Sequence, residues 1–418
     1  MRPFPPTPPA MVPLDMNNPR TVVIVAGEAS GDLHGAHLVR ELKALDPSLS
    51  YCGVGGANLE AEGVRLIARS SEMAVVGLTE VFSKLRFIAG VFFRLRGMLR
   101  KEKPDLVILI DYPDFNLRLA SEAKRAGVPV FYYISPQVWA WRKNRIHRIR
   151  QVVDRMAVIL PFEKDVYAEM GVDVDFVGHP LLDAVNRSRS REEALAAFGL
   201  RDTWPLVALL PGSREKEVTS LLPEMAGAAE ILIRVFPDAQ FVLPLAETVD
   251  PALVQRILSG HPVPVTVLPG QMYDAVGISD AAMVASGTAT LETALLGTPM
   301  VIAYRISPLT AAVGRRVIRV KHIGLVNLIA GKTLVPELVQ EDASASRLAT
   351  EIGAILTDRR RSDTMRRELA EIRQKLGEPG AAHRAAALAV ALMESRSAGL
   401  AAGHWKQGKR LDPGNEPE

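Results

Sequence analysis

From Asp105 to Ile134 the chain reads DLVILIDYPDFNLRLASEAKRAGVPVFYYI. An apolar run, Asp105–Ile110, leads into a helical stretch, Leu117–Ala126, and then into a second apolar run, Val128–Ile134. Near-continuous Val/Ile/Leu runs separated by helices belong to parallel sheets covered on both faces. The pattern recurs upstream, where Thr21–Ala26 (TVVIVA) meets a glycine-containing turn and the helical pattern His34–Leu45. It recurs downstream in Val207–Leu210, Gln240–Leu243, Val265–Leu268, Ala281–Ala285 and Met300–Tyr304. Two such series predict an α/β protein of two doubly wound, Rossmann-like domains facing across a cleft. The joint is expected near Asn186–Ala197, where polar residues precede the strand at Val207. No short-period repeat points to a solenoid.

Length and composition agree with two cores, since the chain has 418 residues of which 48% are hydrophobic. Residues 1–19 contain seven prolines and read as a disordered leader. The expected organisation is an N-terminal domain over 20–190, a C-terminal domain over 191–375, a helix over 376–398 packing back on the first domain, and a flexible tail over 399–418. Lys plus Arg (50) less Asp plus Glu (47) leaves a formal charge of +3. That near-balance argues against bulk attraction to nucleic acid, so cationic work must be local. The single cysteine, Cys52, excludes an intramolecular disulfide framework and a cysteine-rich zinc site. The apolar runs are strand-sized and too short to span a bilayer. The N-terminus lacks the charged-then-apolar layout of a signal peptide, so a cytoplasmic protein is expected.

In doubly wound sheets ligands bind beyond the carboxyl ends of the strands, so the loops there are the places to search. The first is Gly27-Glu28-Ala29-Ser30-Gly31-Asp32, which could hold a ligand through Glu28 and Ser30 or be a plain turn with Asp32 as helix cap. The second follows DLVILI: a carboxylate at the end of a buried strand can be tuned by desolvation for general-base work, which favours Asp111 over Asp114. The third, Pro211-Gly212-Ser213-Arg214, sets backbone N–H groups and a guanidinium fork before a helix, as phosphate binding requires. The fourth, Ser286-Gly287-Thr288, opens a helix with small residues and hydroxyls, a seat for a diphosphate, with Glu292 one turn further in for ribose hydroxyls. Gly331-Lys332-Thr333 fails as a P-loop because Val326 stands where glycine is needed. Asp173-Val174-Asp175 alternates with apolar residues and reads as the start of a strand. The histidines show no metal-ligand spacing, and no metal or other cofactor is expected.

Cations gather in two places. Phe82–Lys103 (FSKLRFIAGVFFRLRGMLRKEK) carries seven Lys/Arg against one Glu, and as a helix it shows two apolar stripes. A surface helix needs only one buried stripe, so the excess, with Phe82, Leu85, Phe87, Ile88 and Val91, is expected to meet an anionic membrane or an acylated ligand. The second cluster, Trp139 to Arg150, interleaves aromatics and cations, with Trp139 and Arg142 as candidates for a phosphorylated sugar or lipid headgroup rather than nucleic acid.

Taken together, VAGEASGD, MAVVGLTEV, KPDLVILIDYPDFN, YYISPQVWAWR, LPFEK, GHPLLD, LLPGSR and ASGTATLE followed by PMVIAYR carry a resemblance. From about Thr21 to about Gln340, and more weakly to about Met393, the chain resembles the lipid-A-disaccharide synthases, GT-B-type glycosyltransferases. The resemblance implies an inverting transfer from UDP-2,3-diacylglucosamine to 2,3-diacylglucosamine 1-phosphate, giving a β-1,6-linked disaccharide 1-phosphate and UDP. It implies Asp111 as the essential aspartate, Arg214 as the essential arginine, Ser286, Glu292 and Asn327 as uridine-diphosphate contacts, and Glu28 and Ser30 as cleft residues. It also implies peripheral attachment to the cytoplasmic face of the inner membrane, with the oligomeric state open and a homodimer one option. The sequence departs from the pattern at Leu325-Val326, where a proline is expected beside Asn327, and at GVGGANL, where a Gly-Pro-basic run is common. A nucleotide-sugar epimerase on the same fold and a non-enzymatic nucleotide-sugar binding module are the rival readings.

Overall fold

The computed structural model describes residues 20–73, 81–141, 145–306 and 322–397, apart from the side chains of 81–85, 140–141 and 397. The leader 1–19, the tail 399–418, Arg142, and the side chains of Phe82 and Leu85 lie outside these described residues.

The strands form two parallel sheets. The first has β1 (Thr21–Ala26), β2 (Ser50–Gly55), β3 (Arg65–Arg69), β4 (Leu106–Ile110), β5 (Val130–Tyr133), β6 (Arg155–Val158) and β7 (Asp175–Phe176), in the order β3-β2-β1-β4-β5-β6-β7. The second has β8 (Leu206–Leu210), β9 (Gln240–Leu245), β10 (Val265–Pro269), β11 (Ala281–Ala285), β12 (Met300–Tyr304) and β13 (Glu337–Val339), in the order β10-β9-β8-β11-β12-β13. The central strands β4, β8 and β11 are buried at every residue, which is why they are unbroken apolar runs rather than alternating ones. Each fully buried Val, Leu or Ile there contributes about 1.5–3 kcal/mol.

Each sheet reverses its strand order once, and the reversal places the loops. In the first sheet β1 lies between β2 and β4, with Ala26 level with Ile110, so Gly27 and Asp111 leave the sheet side by side. In the second, β8 lies between β9 and β11, with Val284 beside Leu210, so the loops at Pro211 and Ser286 emerge together. These two switch points are where ligands of doubly wound sheets bind.

The chain clusters into two compact units. Among the described residues the first takes 20–136, 147–157 and those from 382 onward, and the second takes 137–146 and 158–381. Within the first, the helix Ala381–Ser397 is tied by His383 Nδ1 to Glu41 (2.8 Å) and by Arg396 to Asp154 (3.2 Å).

Several strands had no counterpart among the apolar runs of the sequence. β2 (SYCGVG) is broken by glycines, β3 (RLIAR) is flanked by arginines, and β6 and β13 hold only four and three residues. Asp32 also differs from the expected cap of its own helix. It lies inside the helix Ala29–Leu45, and its carboxylate accepts from the backbone N–H groups of Gly56, Asn58 and Leu59 and from Asn58 Nδ2. It therefore caps the following helix, Ala57–Ala61, whose first-turn donors have no partner of their own.

The basic helix Val81–Lys101 corrects one expectation. Val91 is core, as are Leu95, Met98 and Leu99, because this side of the helix faces the sheet and Met98 reaches Cys52. The exposed aromatic positions are Phe87 (39%) and Phe93 (60%), flanked by exposed Arg86 and Arg94, while Ile88 is half-buried.

Candidate active site

In the first unit the site is built on a strained turn. Asp111 and Tyr112 both adopt the left-handed conformation (φ 45° and 47°), which costs about 1–3 kcal/mol for each non-glycine residue. The surroundings hold the strain in place. Tyr132 donates its hydroxyl to the Asp111 carbonyl at 2.5 Å, and Asn116 Nδ2 donates to the same oxygen at 2.7 Å and to that of Ile110 at 3.2 Å. The Tyr112 ring packs on Phe115 (5.7 Å), which in turn meets Phe92 edge-on. Gly27 faces this ring so closely that a Cβ would lie 2.3 Å from it, so only glycine fits there.

The clamp aims a partly buried carboxylate at the switch point. Burial first, and the charge of nearby Glu28 second, push the Asp111 carboxyl up to about 6, against the opposing hydrogen bond from the Tyr112 N–H. An acid with that affinity is ionised at neutral pH yet basic enough to take a proton from an attacking hydroxyl. Glu28 and Ser30 lie exposed where β1 passes into its helix. The helix after Asp111 begins at Pro113 with Tyr112 at the N-cap position and no side-chain capping bond from it.

In the second unit, a cavity of about 440 Å³ opens at the β8/β11 switch point. Ser213 and Arg214 line it from the loop after β8, and Ser286, Gly287, Thr288 and Glu292 line it from the loop and helix after β11. The sequence expected all six there. The helix Thr288–Leu295 starts at Gly287 with no side-chain cap, so its first N–H groups face the cavity without a competing acceptor from that residue. Arg214 reaches into solvent, with its side chain 78% exposed. Ser286 Oγ donates to the Ile323 carbonyl at 3.4 Å. Glu292 accepts from the Tyr273 hydroxyl at 3.0 Å, and burial raises its pKa against that bond.

Three residues of this unit were not singled out in the sequence. Glu217 lines the cavity and accepts from the Ser213 N–H and from Arg214 Nη1, both at 3.1 Å. Its spacing from Arg214, one helical turn, was the signal that could have found it. Tyr273, in the helix Met272–Gly277 after β10, and Thr248, in the loop after β9, which donates to the Ser213 carbonyl at 2.6 Å, come from distant stretches of chain, so only the fold brings them in.

Two expected contacts sit elsewhere. Asn327 is fully buried and uses both ends of its amide: Nδ2 donates to Val335 O and Glu337 Oε1, and Oδ1 accepts from the Leu334 and Val335 N–H groups. It does not line the cavity; it braces Glu337, which accepts from the Ile323 and Gly324 N–H groups beside Ser286. Trp139 is likewise core rather than a ligand platform. Its ring meets Phe162 edge-on at 4.9 Å, and its indole N–H donates to buried Glu163 at 3.2 Å.

Comparison with known proteins places these features. A profile of the family described as lipid-A-disaccharide synthetase matches residues 22–391. A lipid-A-disaccharide synthase of Syntrophus aciditrophicus is 56% identical over 90% of this chain and 99% of its own length. One from Geobacter sulfurreducens is 49% identical over 90% and 98%. Among solved structures, the glycotransferase of kitacinnamycin superposes with a TM-score of 0.61 at 17% identity, covering 90% of this chain and 99% of that one. The UDP-GlcNAc 2-epimerase of Neisseria meningitidis, bound to UDP-GlcNAc, gives 0.57 at 15% identity, covering 90% and 100%. At those identities the structural likeness is one of fold.

Proposed function

The chain belongs to the lipid-A-disaccharide synthetase family, and from that premise we propose that Asp111 is the base and the cavity at Ser213–Arg214 and Ser286–Thr288 is the donor's diphosphate seat. The protein is a glycosyltransferase of lipid A disaccharide synthesis that uses a nucleotide-sugar donor. The donor is UDP-2,3-diacylglucosamine, and the acceptor 2,3-diacylglucosamine 1-phosphate. Asp111 deprotonates the acceptor hydroxyl as its oxygen attacks the anomeric carbon, and UDP departs from the opposite face with inversion. The negative charge that develops on the leaving diphosphate is met by the Arg214 guanidinium and the N–H groups at the start of the helix Thr288–Leu295. Glu292, held by Tyr273, takes the ribose hydroxyls, and Glu28 and Ser30 contact the acceptor.

One observation carries this reading: a carboxylate at the first switch point, locked in a strained turn, with its pKa raised to about 6 by burial. The exposed face Arg86, Phe87, Phe93 and Arg94 supports a peripheral seat on an anionic membrane, the inner membrane's cytoplasmic face, where acylated substrates reside. No helix among the described residues is long and apolar enough to cross a membrane. An assay of UDP release from the acylated nucleotide sugar, with and without the acceptor phosphate, tests the reaction. Release that requires both substrates is expected. Turnover of donor alone would indicate an epimerase or hydrolase instead, and UDP binding without release would indicate a binding module.

A further inference from the structure

A carboxylate of the protein itself lines the cavity of the second unit. Glu217 Oε2 accepts from the Ser213 N–H and Oε1 from Arg214 Nη1, both at 3.1 Å. Those two donors are the ones the site offers a phosphate: a backbone N–H in a strand-to-helix loop and the guanidinium beside it. We propose that Glu217 is an internal counter-anion that occupies the diphosphate seat of the free protein and must leave it when the donor binds, so that it weakens donor binding and speeds UDP departure.

Three features favour a displaceable stand-in over a structural brace. The loop is shaped around the carboxylate: Gly212 has φ +115°, and a Cβ there would lie 2.4 Å from Glu217 Oε2. The side chain has no hydrogen-bond or ion-pair partner beyond Ser213 and Arg214 among the described residues. Leaving the seat therefore breaks no other tie among the described residues. Arg214 is exposed (78%) and Glu217 half-buried (30%) at the cavity wall, so the carboxylate can rotate toward water without opening the core. An ion pair open to solvent on its arginine side is weak enough to yield to a doubly charged ligand and is screened by salt. The seat is thereby occupied in the empty protein, and the carboxylate returns as UDP leaves.

The inference rests on the diphosphate reading of the cavity, and the test separates the two. UDP binding to the full chain is measured by titration calorimetry at low and high salt for the wild type, Glu217→Gln, Glu217→Ala and Arg214→Ala. Both Glu217 variants are expected to bind UDP about three- to tenfold more tightly at low salt, with the gap narrowing as salt rises. Their donor KM and the inhibition constant for UDP should fall in step, a change that a merely structural role would not give. The Ala variant guards against a new hydrogen bond from Gln. Equal or weaker UDP binding by both Glu217 variants, with the wild type binding normally and Arg214→Ala binding poorly, would overturn the inference while leaving the diphosphate reading intact. A wild type that does not bind UDP would overturn the reading and the inference together.

Discussion

The two switch points share one topology and are built in opposite ways. At the first, the strand ends in a left-handed Asp111–Tyr112 pair clamped by Tyr132 and Asn116 and walled by aromatic rings. At the second, small residues and a solvent-reaching Arg214 surround an open cavity of about 440 Å³. A base needs desolvation and a fixed direction, because its proton affinity is set by what is kept away from it. A diphosphate seat needs accessible donors, because it must accept and release a doubly charged group in every cycle. The same strand-to-helix junction is built with bulk and strain in one case, and with glycine, serine and an arginine in the other.

If that contrast is right, damage at the two points should separate. The largest effect is expected from Asp111→Asn, which should lower kcat by about 10²- to 10⁴-fold while UDP affinity stays within about twofold. The same substitution should stabilise the fold. The folded-state pKa of about 6 lies above the ordinary value of 3.8. Folded protein therefore binds this proton more tightly than unfolded chain, and stability falls as pH rises from about 4 to about 6. Above that window the ionised group carries a constant penalty on the order of 1–3 kcal/mol, and Asn removes it. Denaturant unfolding at pH 8 should show the gain. Asn116→Ala comes next. Loss of the clamp frees the Asp111 turn, so kcat should fall about 10²-fold with UDP binding unchanged, as steady-state kinetics and calorimetry on one preparation would show. Arg214→Ala should do the reverse. Losing a charge-assisted hydrogen bond worth ~2 kcal/mol weakens UDP by about 30-fold, read directly by calorimetry.

The smallest effect belongs to the basic helix. Phe93→Ala should lower the partitioning of the chain onto anionic vesicles by about fivefold, for ~1 kcal/mol of apolar contact, in a sedimentation assay. Val91→Ala should not act there: Val91 is buried, so its loss should appear as reduced stability.

The sequence disclosed what lies along a strand and its exit. The apolar runs located eight strands, and a strand end followed by Asp, by Gly-Ser-Arg or by Ser-Gly-Thr marked the loops that the sheet order gathers at its reversals. What it concealed depends on contacts distant along the chain. Asn116 sits within the quoted DYPDFN motif, yet only the fold shows that its amide reaches back to two carbonyls of the strained turn. Trp139 looked like a ligand platform because cations follow it, but its indole meets buried Glu163, which opens the helix Glu163–Ala168 beyond β6. Asn327 was expected at the uridine diphosphate by resemblance, but its amide is spent on the Val335 backbone and Glu337. Helical spacing alone could not fix the buried face: Val91, Leu95, Met98 and Leu99 turn inward, and Phe93, which the sequence did not single out, faces out.

The account turns on Asp111 as a base poised by burial, and the pH dependence of kcat/KM tests this most directly. The wild type should show an acid limb with a midpoint near pH 6, matching the raised carboxyl of Asp111, with activity lost as pH falls and the base becomes protonated. That limb should be absent from the residual activity of Asp111→Asn. A profile flat down to pH 5, or an unchanged limb in Asp111→Asn, would contradict it.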